Sequence, residues 1–130
     1  KPHGGICLTV ADLIAIHGRV GHPAFGVCYD PGNLIYYTKG AERPEPNIAR
    51  IAPLVTTAII KDCIVRDGVP DVMITPGEGW VDFHAVLGGL TQGGFRGPLY
   101  LECVGGKELA EIDANVRRAR GYIEGLLAQL

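Results

Sequence analysis

The chain has 130 residues, room for one domain, and 47% of them are hydrophobic, enough to build a core. Its formal net charge is -2, and no block of Lys or Arg provides an electrostatic footprint for nucleic acid. No apolar run reaches the length of a membrane span, and no signal-peptide pattern is read.

The chain opens on Lys1-Pro2-His3-Gly4-Gly5, which reads as the interior of a longer protein and as the stub of a first strand. Thr9 or Asp12 caps a helix running to about Arg19, with Leu13, Ile14 and Ile16 as its apolar positions. Phe25 to Asp30 is a strand, and residues 31 to 43 are expected as a loop carrying Tyr36 and Tyr37. Pro46 starts a second helix, limited by Pro53. Val55 to Asp62 is the next strand, rich in Val, Thr and Ile. Ile64 to Trp80 is a long excursion containing Pro76-Gly77-Glu78-Gly79. Asp82 caps a helix to about Gln92, which Gly93-Gly94 stops. Pro98 to Cys103 is a strand, and Glu108 to Leu130 is the final helix.

Strands alternating with helices imply parallel strands joined by crossovers. Counting the stub gives four βα units, half of an eightfold barrel; a small doubly wound open sheet is the alternative. Half a barrel leaves two bare edges, which need a missing N-terminal half-barrel or another chain to cover them. Cys7, Cys28, Cys63 and Cys103 lie in or beside apolar segments and form no C-x-x-C pair. They read as reduced thiols in a cytoplasmic protein.

Three apolar runs end on charge: Cys28-Tyr29-Asp30, Ile59-Ile60-Lys61-Asp62 and Tyr100-Leu101-Glu102. The carboxyl ends of parallel strands are where α/β folds place their functional groups. Alternation along a strand puts Asp30 on the face of Cys28, Lys61 on the face of Ile59, and Glu102 on the face of Tyr100. Asp62 then points the other way and is expected to fix the following loop through backbone hydrogen bonds. The inward ring holds Lys1, His3, Asp30, Lys61 and Glu102, with Asn33 just above Asp30. Carboxylates among amines suit proton transfer next to a carbonyl, with one group taking the α-proton and another holding the enediolate. Plain ion pairing at strand ends is the competing explanation for any single member. Trp80 and Glu78 are candidate substrate contacts on the 64–80 excursion. Trp80 would wall a pocket or pack in the core, and the turn around Glu78 would approach a substrate or serve only as a turn.

At these residues the chain resembles the sugar phosphate isomerase/epimerase family, the xylose isomerase-like barrels. The matching segments are KPHGG at 1–5, YDPGN at 29–33, IIKD at 59–62, PGEGWVDF at 76–83 and GFRGPLYLEC at 94–103. The resemblance implies the C-terminal half of a (β/α)8 TIM barrel, strands five to eight with their helices, over residues 1–130. It implies isomerase or epimerase chemistry on a small sugar-like substrate. The catalytic candidates are Asp30, Glu102, Lys61 and Lys1; the substrate contacts are His3, Asn33, Trp80 and Glu78.

The family's divalent metal (Mg, Mn or Zn) would rest on Asp30 and Glu102. Two further ligand positions of the family fall here on Lys1 and Ile59, which makes a site with no metal an equal expectation, with a lysine as electrophile. A dehydratase or lyase on the same barrel and a non-catalytic sugar-binding barrel are the other functional readings.

Overall fold

In the computed structural model, which describes residues 1–130, Thr9 opens the first helix, α1 (Val10–Val20). Both candidate caps take part. The Thr9 hydroxyl accepts from the Asp12 amide at 3.1 Å, and the Asp12 carboxylate accepts from the Thr9 amide at 2.9 Å. This reciprocal pair satisfies two donors the first turn cannot. Gly21 ends the helix in the left-handed conformation.

The strand β1 (Val27–Tyr29) stops at Asp30, and there the expected loop is replaced by a helix, α2 (Pro31–Thr38). Pro31-Gly32 reads as a turn in sequence. In the fold Asp30 is the N-cap, its carboxylate accepting from the Asn33 amide at 2.9 Å. Pro31 occupies the first helical position, where its missing N–H costs nothing. Next comes α3 (Ile48–Ile51), a single turn flanked by 3-10 turns at Glu45–Asn47 and Ala52–Leu54 that carry Pro46 and Pro53.

The strand β2 (Val55–Ile60) is central. It pairs in parallel with β1 on one side and with β5 (Leu99–Leu101) on the other, giving the order β1-β2-β5. Three strands therefore pair, where four βα units were expected. Residues 1–3 stay outside the ladder; the Pro2 carbonyl accepts instead from the Asn33 side chain at 3.0 Å. Proline at position 2 has no amide to give a neighbouring strand.

The 64–80 excursion contains an antiparallel hairpin that the sequence reading passed over, β3 (Ile64–Arg66) and β4 (Val69–Asp71). Its turn is Asp67-Gly68, with φ of 50° and 75°. Positive φ at both central residues is the two-residue turn whose twist suits a hairpin. Asp82 caps α4 (Phe83–Gln92), accepting from the Ala85 amide at 3.0 Å, and α5 (Leu109–Leu127) closes the chain.

Alternation sorts the sheet as expected. Val27, Tyr29, Ala58 and Ile60 join one core with Val10 of α1, Leu34 and Ile35 of α2, Ile51 of α3, Phe83 and Leu87 of α4 and Ile123 of α5. Cys28, Ile59 and Tyr100 alternate onto the opposite face, where Tyr100 is 54% exposed. The outer sides of β1 and β5 pair with no strand. Beside the β5 edge an apolar groove of about 270 Å³ runs between Leu99, Leu101 and Leu127. The architecture is a partial barrel of parallel strands alternating with helices, an open sheet with its helices packed on one face. No helix is long and apolar enough to cross a membrane, and none of the four cysteines is bonded to another.

Candidate active site

Each strand of the sheet delivers one charged side chain at its carboxyl end: Asp30 after β1, Lys61 after β2 and Glu102 after β5. Alternation fixes their direction, and the adjacent strand spacing brings them within contact. The Lys61 ammonium lies 3.6 Å from Asp30 Oδ2 and hydrogen-bonds Glu102 Oε1. Lys1 reaches the same pair from the chain's first residue, at 3.1 Å from Asp30 Oδ2 and 2.8 Å from Glu102 Oε2. Two ammoniums thus stand between two carboxylates.

Asn33, one turn into α2, braces this group. Its side-chain oxygen accepts from Lys61 at 3.2 Å while its amide nitrogen donates to the Pro2 carbonyl at 3.0 Å. The close fit of α2 depends on Gly32. A Cβ there would lie 2.6 Å from the Lys61 carbonyl and 2.7 Å from the Lys61 Cγ. Gly32→Ala is therefore expected to destabilise the fold by about 1–3 kcal/mol, the usual cost of overpacking. Urea unfolding measures it, and a change below about 0.5 kcal/mol would contradict the packing described.

The members differ in access. Asp30 is fully buried and the Lys61 side chain is 5% exposed, whereas Glu102 is 41% exposed. Asp30 is thus a fixed member and Glu102 the one open to a ligand. Burial pushes the Asp30 carboxyl above the ordinary range, against the Asn33 amide and the two lysines. Glu102 is the reverse: burial works to raise it, but hydrogen bonds from Lys1 and Lys61 outweigh that and hold it low. Burial likewise works to lower Lys61, and its hydrogen bond to Glu102 and the charge of Asp30 leave it above the usual lysine value. The charged forms of Glu102, Lys1 and Lys61 are thus favoured, while burial works against the charged form of Asp30.

A group whose folded value is raised contributes stability below its unfolded value and loses it as pH rises through the folded one. For Lys1 and Lys61 that window lies above pH 10.5. Unfolding free energy is expected to fall there more steeply in the native chain than in Lys61→Met. Urea titrations across pH 9 to 12, an interval of about three units around the ordinary lysine value, measure the difference. Parallel limbs would refute the assignment.

The structure brings together Lys1, Asp30, Asn33, Lys61 and Glu102, and engages the other sequence candidates elsewhere. His3 hydrogen-bonds the Tyr37 hydroxyl at 2.6 Å, their rings 4.3 Å apart. Tyr37, expected on a loop, lies on α2. Reading 31–38 as a helix would have found it, because Asn33 and Tyr37 are then four apart and share a face. Trp80 packs over Gly40 and carries the Arg43 guanidinium 5.6 Å from its ring centroid. Glu78 pairs with Arg118 of α5. Asp62 points away from the cluster and accepts from the amides of Cys63, Gly77, Gly79 and Val81 at 2.8 to 3.1 Å, as the alternation requires.

A profile described as the xylose isomerase-like TIM barrel matches residues 2–126. The chain belongs to that family. Among solved structures, a xylose isomerase domain protein from Planctomyces limnophilus superposes with a TM-score of 0.72 at 24% identity, over 89% of this chain and 40% of that one. A xylose isomerase-like TIM barrel protein from Mycobacterium smegmatis, solved in complex with magnesium, gives 0.68 at 23% identity, over 93% and 41%. The 3-keto-D-glucoside 4-epimerase from E. coli gives 0.63 at 16% identity, over 92% and 41%. These likenesses show the fold. The chain spans about two fifths of the length of each of them. No curated protein sequence matches it.

The magnesium in the Mycobacterium smegmatis structure raises the question whether the residues here would hold a divalent ion. Asp30 and Glu102 are the carboxylates available, and each already contacts both ammoniums. No group of three or more His, Cys, Asp or Glu side chains is placed to hold a metal ion. The corresponding inward position on β2 is Ile59, which has no donor atom. A divalent cation such as magnesium binds through one or two carboxylates whose oxygens must be free to face it. The donor set of this chain does not fit such an ion, since two ammoniums occupy the space between its carboxylates.

Proposed function

We propose that this chain carries the acid–base centre of a sugar isomerase or epimerase that moves a proton next to a carbonyl, with Lys61 and Lys1 as electrophiles in place of a metal. The observation that carries this reading is the buried Lys61 ammonium held between Asp30 and Glu102 at the ends of three parallel strands. Glu102 is the accessible base. It takes the proton from the carbon beside the substrate carbonyl, and the C–H electron pair becomes the new C=C bond as the carbonyl π pair moves onto oxygen. The resulting enediolate oxygen accepts hydrogen bonds from the ammoniums, which are positioned before the charge develops. Delivery of a proton to the opposite face, by water or a group other than Glu102, gives the epimer. Return of the proton from Glu102 to the neighbouring carbon, with the hydroxyl proton passing from one enediolate oxygen to the other, gives the isomer. A small polyhydroxylated carbonyl compound is the substrate class.

Solvent deuterium exchange tests this. Aldoses and ketoses are incubated in D2O with the chelator-treated protein, and exchange at the carbon beside the carbonyl is followed by NMR. Exchange that survives chelation and is lost in Glu102→Gln is expected. Exchange that disappears on chelation and returns with magnesium or manganese would overturn the metal-free centre. Loss of water from the product would indicate a dehydratase, and absence of any exchange would indicate a barrel that only binds sugars.

A further inference from the structure

The carboxylate of Glu102 bridges the two lysines with one oxygen on each, Oε2 on Lys1 at 2.8 Å and Oε1 on Lys61. That is the geometry a bound ligand with two coplanar oxygens would adopt. Glu102 has the most exposed side chain of the cluster, at 41% against 28% for Lys1 and 5% for Lys61. The lysines do not depend on it for position. Both contact Asp30 Oδ2, and Lys61 is also held by the Asn33 side chain. Asp30 is in turn fixed by its cap on α2.

We propose that Lys1 and Lys61 form a two-ammonium receptor for a planar pair of anionic oxygens, and that Glu102 fills this receptor as an internal plug until a ligand displaces it. The ligand class is an enediolate or an α-hydroxy or α-keto carboxylate. Charge favours the exchange. With Glu102 swung out, two ammoniums face one fixed carboxylate, so the receptor carries a net charge of about +1 and attracts an anion. Displacement replaces one bridging carboxylate by another, so neither ammonium is left unpaired in its part-buried position. The displaced Glu102 then stands beside the ligand, where a base is required. The inference rests on the proposed chemistry for its meaning but not for its test.

The probe is oxalate, a planar dianion with two oxygens in the enediolate arrangement. Calorimetric titration of the chelator-treated protein is expected to show saturable binding. Glu102→Gln removes the competing anion and is expected to tighten oxalate at least threefold. Lys61→Met is expected to weaken it at least tenfold. Circular dichroism establishes that each variant is folded. Should Lys61→Met fail to fold, the Glu102→Gln titration alone decides, because that side chain is half-exposed and the change keeps its size.

Absence of oxalate binding, equal or weaker binding by folded Glu102→Gln, undiminished binding by folded Lys61→Met, or binding only after magnesium is restored would each overturn the receptor. Oxalate binding in the expected pattern without deuterium exchange into any sugar would keep the receptor and remove the isomerase reading. Exchange without oxalate binding would do the opposite.

Discussion

Lys61→Met is expected to lower the unfolding free energy by about 3 kcal/mol and to abolish proton exchange at the site. Breaking a buried ion pair by removing one partner costs about 3–5 kcal/mol, because the remaining charge keeps its desolvation penalty. The lower end applies here, since Lys1 remains 3.1 Å from Asp30. Chemical denaturation of the two proteins measures the difference. The double variant Asp30→Asn/Lys61→Met removes the stranded charge and is expected to recover about half of the lost stability while remaining inactive. If the double variant were no more stable than Lys61→Met, the stranded carboxylate would not be the cause.

The second large effect is expected at Asp62, whose side chain points away from the charged cluster. Its buried carboxylate takes the amides of Cys63, Gly77, Gly79 and Val81, and so ties both ends of the 63–81 excursion to the end of β2. Hydrogen bonds to a charged acceptor contribute about 1.5–3 kcal/mol each, with strong sharing among bonds to one group. Asp62→Ala is expected to cost about 3–4 kcal/mol in all and to expose the Asp67-Gly68 turn to protease. Thermal unfolding and limited proteolysis read the two effects separately. A variant with unchanged proteolysis of the hairpin would contradict the tie.

The parts of this fold that were legible in sequence are those set by local rules. The period of two along a strand placed Asp30, Lys61 and Glu102 on one face and sent Asp62 to the other. The capping residues Thr9 and Asp82 marked their helices. Two misreadings were also local, and each came from reading one dipeptide with the wrong rule. Asp30-Pro31 is an N-cap followed by a proline at the first helical position, so the segment after it is α2 and not a loop. Asp67-Gly68 is a hairpin turn inside what looked like an irregular excursion. Core packing for Trp80 and a turn around Glu78 were among the alternatives in sequence, but the side-chain partners of the two residues were not legible. Their partners are Arg43 and Arg118, 37 and 40 residues away in the chain, and no local pattern announces such contacts.

The cap on α2 also makes the site observable without any substrate. The Asn33 amide donates to Asp30 Oδ1 at 2.9 Å, while the other oxygen of that carboxylate faces both ammoniums. A change of charge or occupancy among the lysines alters the electron density on the shared carboxylate and so the magnetic environment of that amide proton. One resonance in a nitrogen–proton correlation spectrum therefore serves as a built-in reporter of what the mouth of the barrel holds.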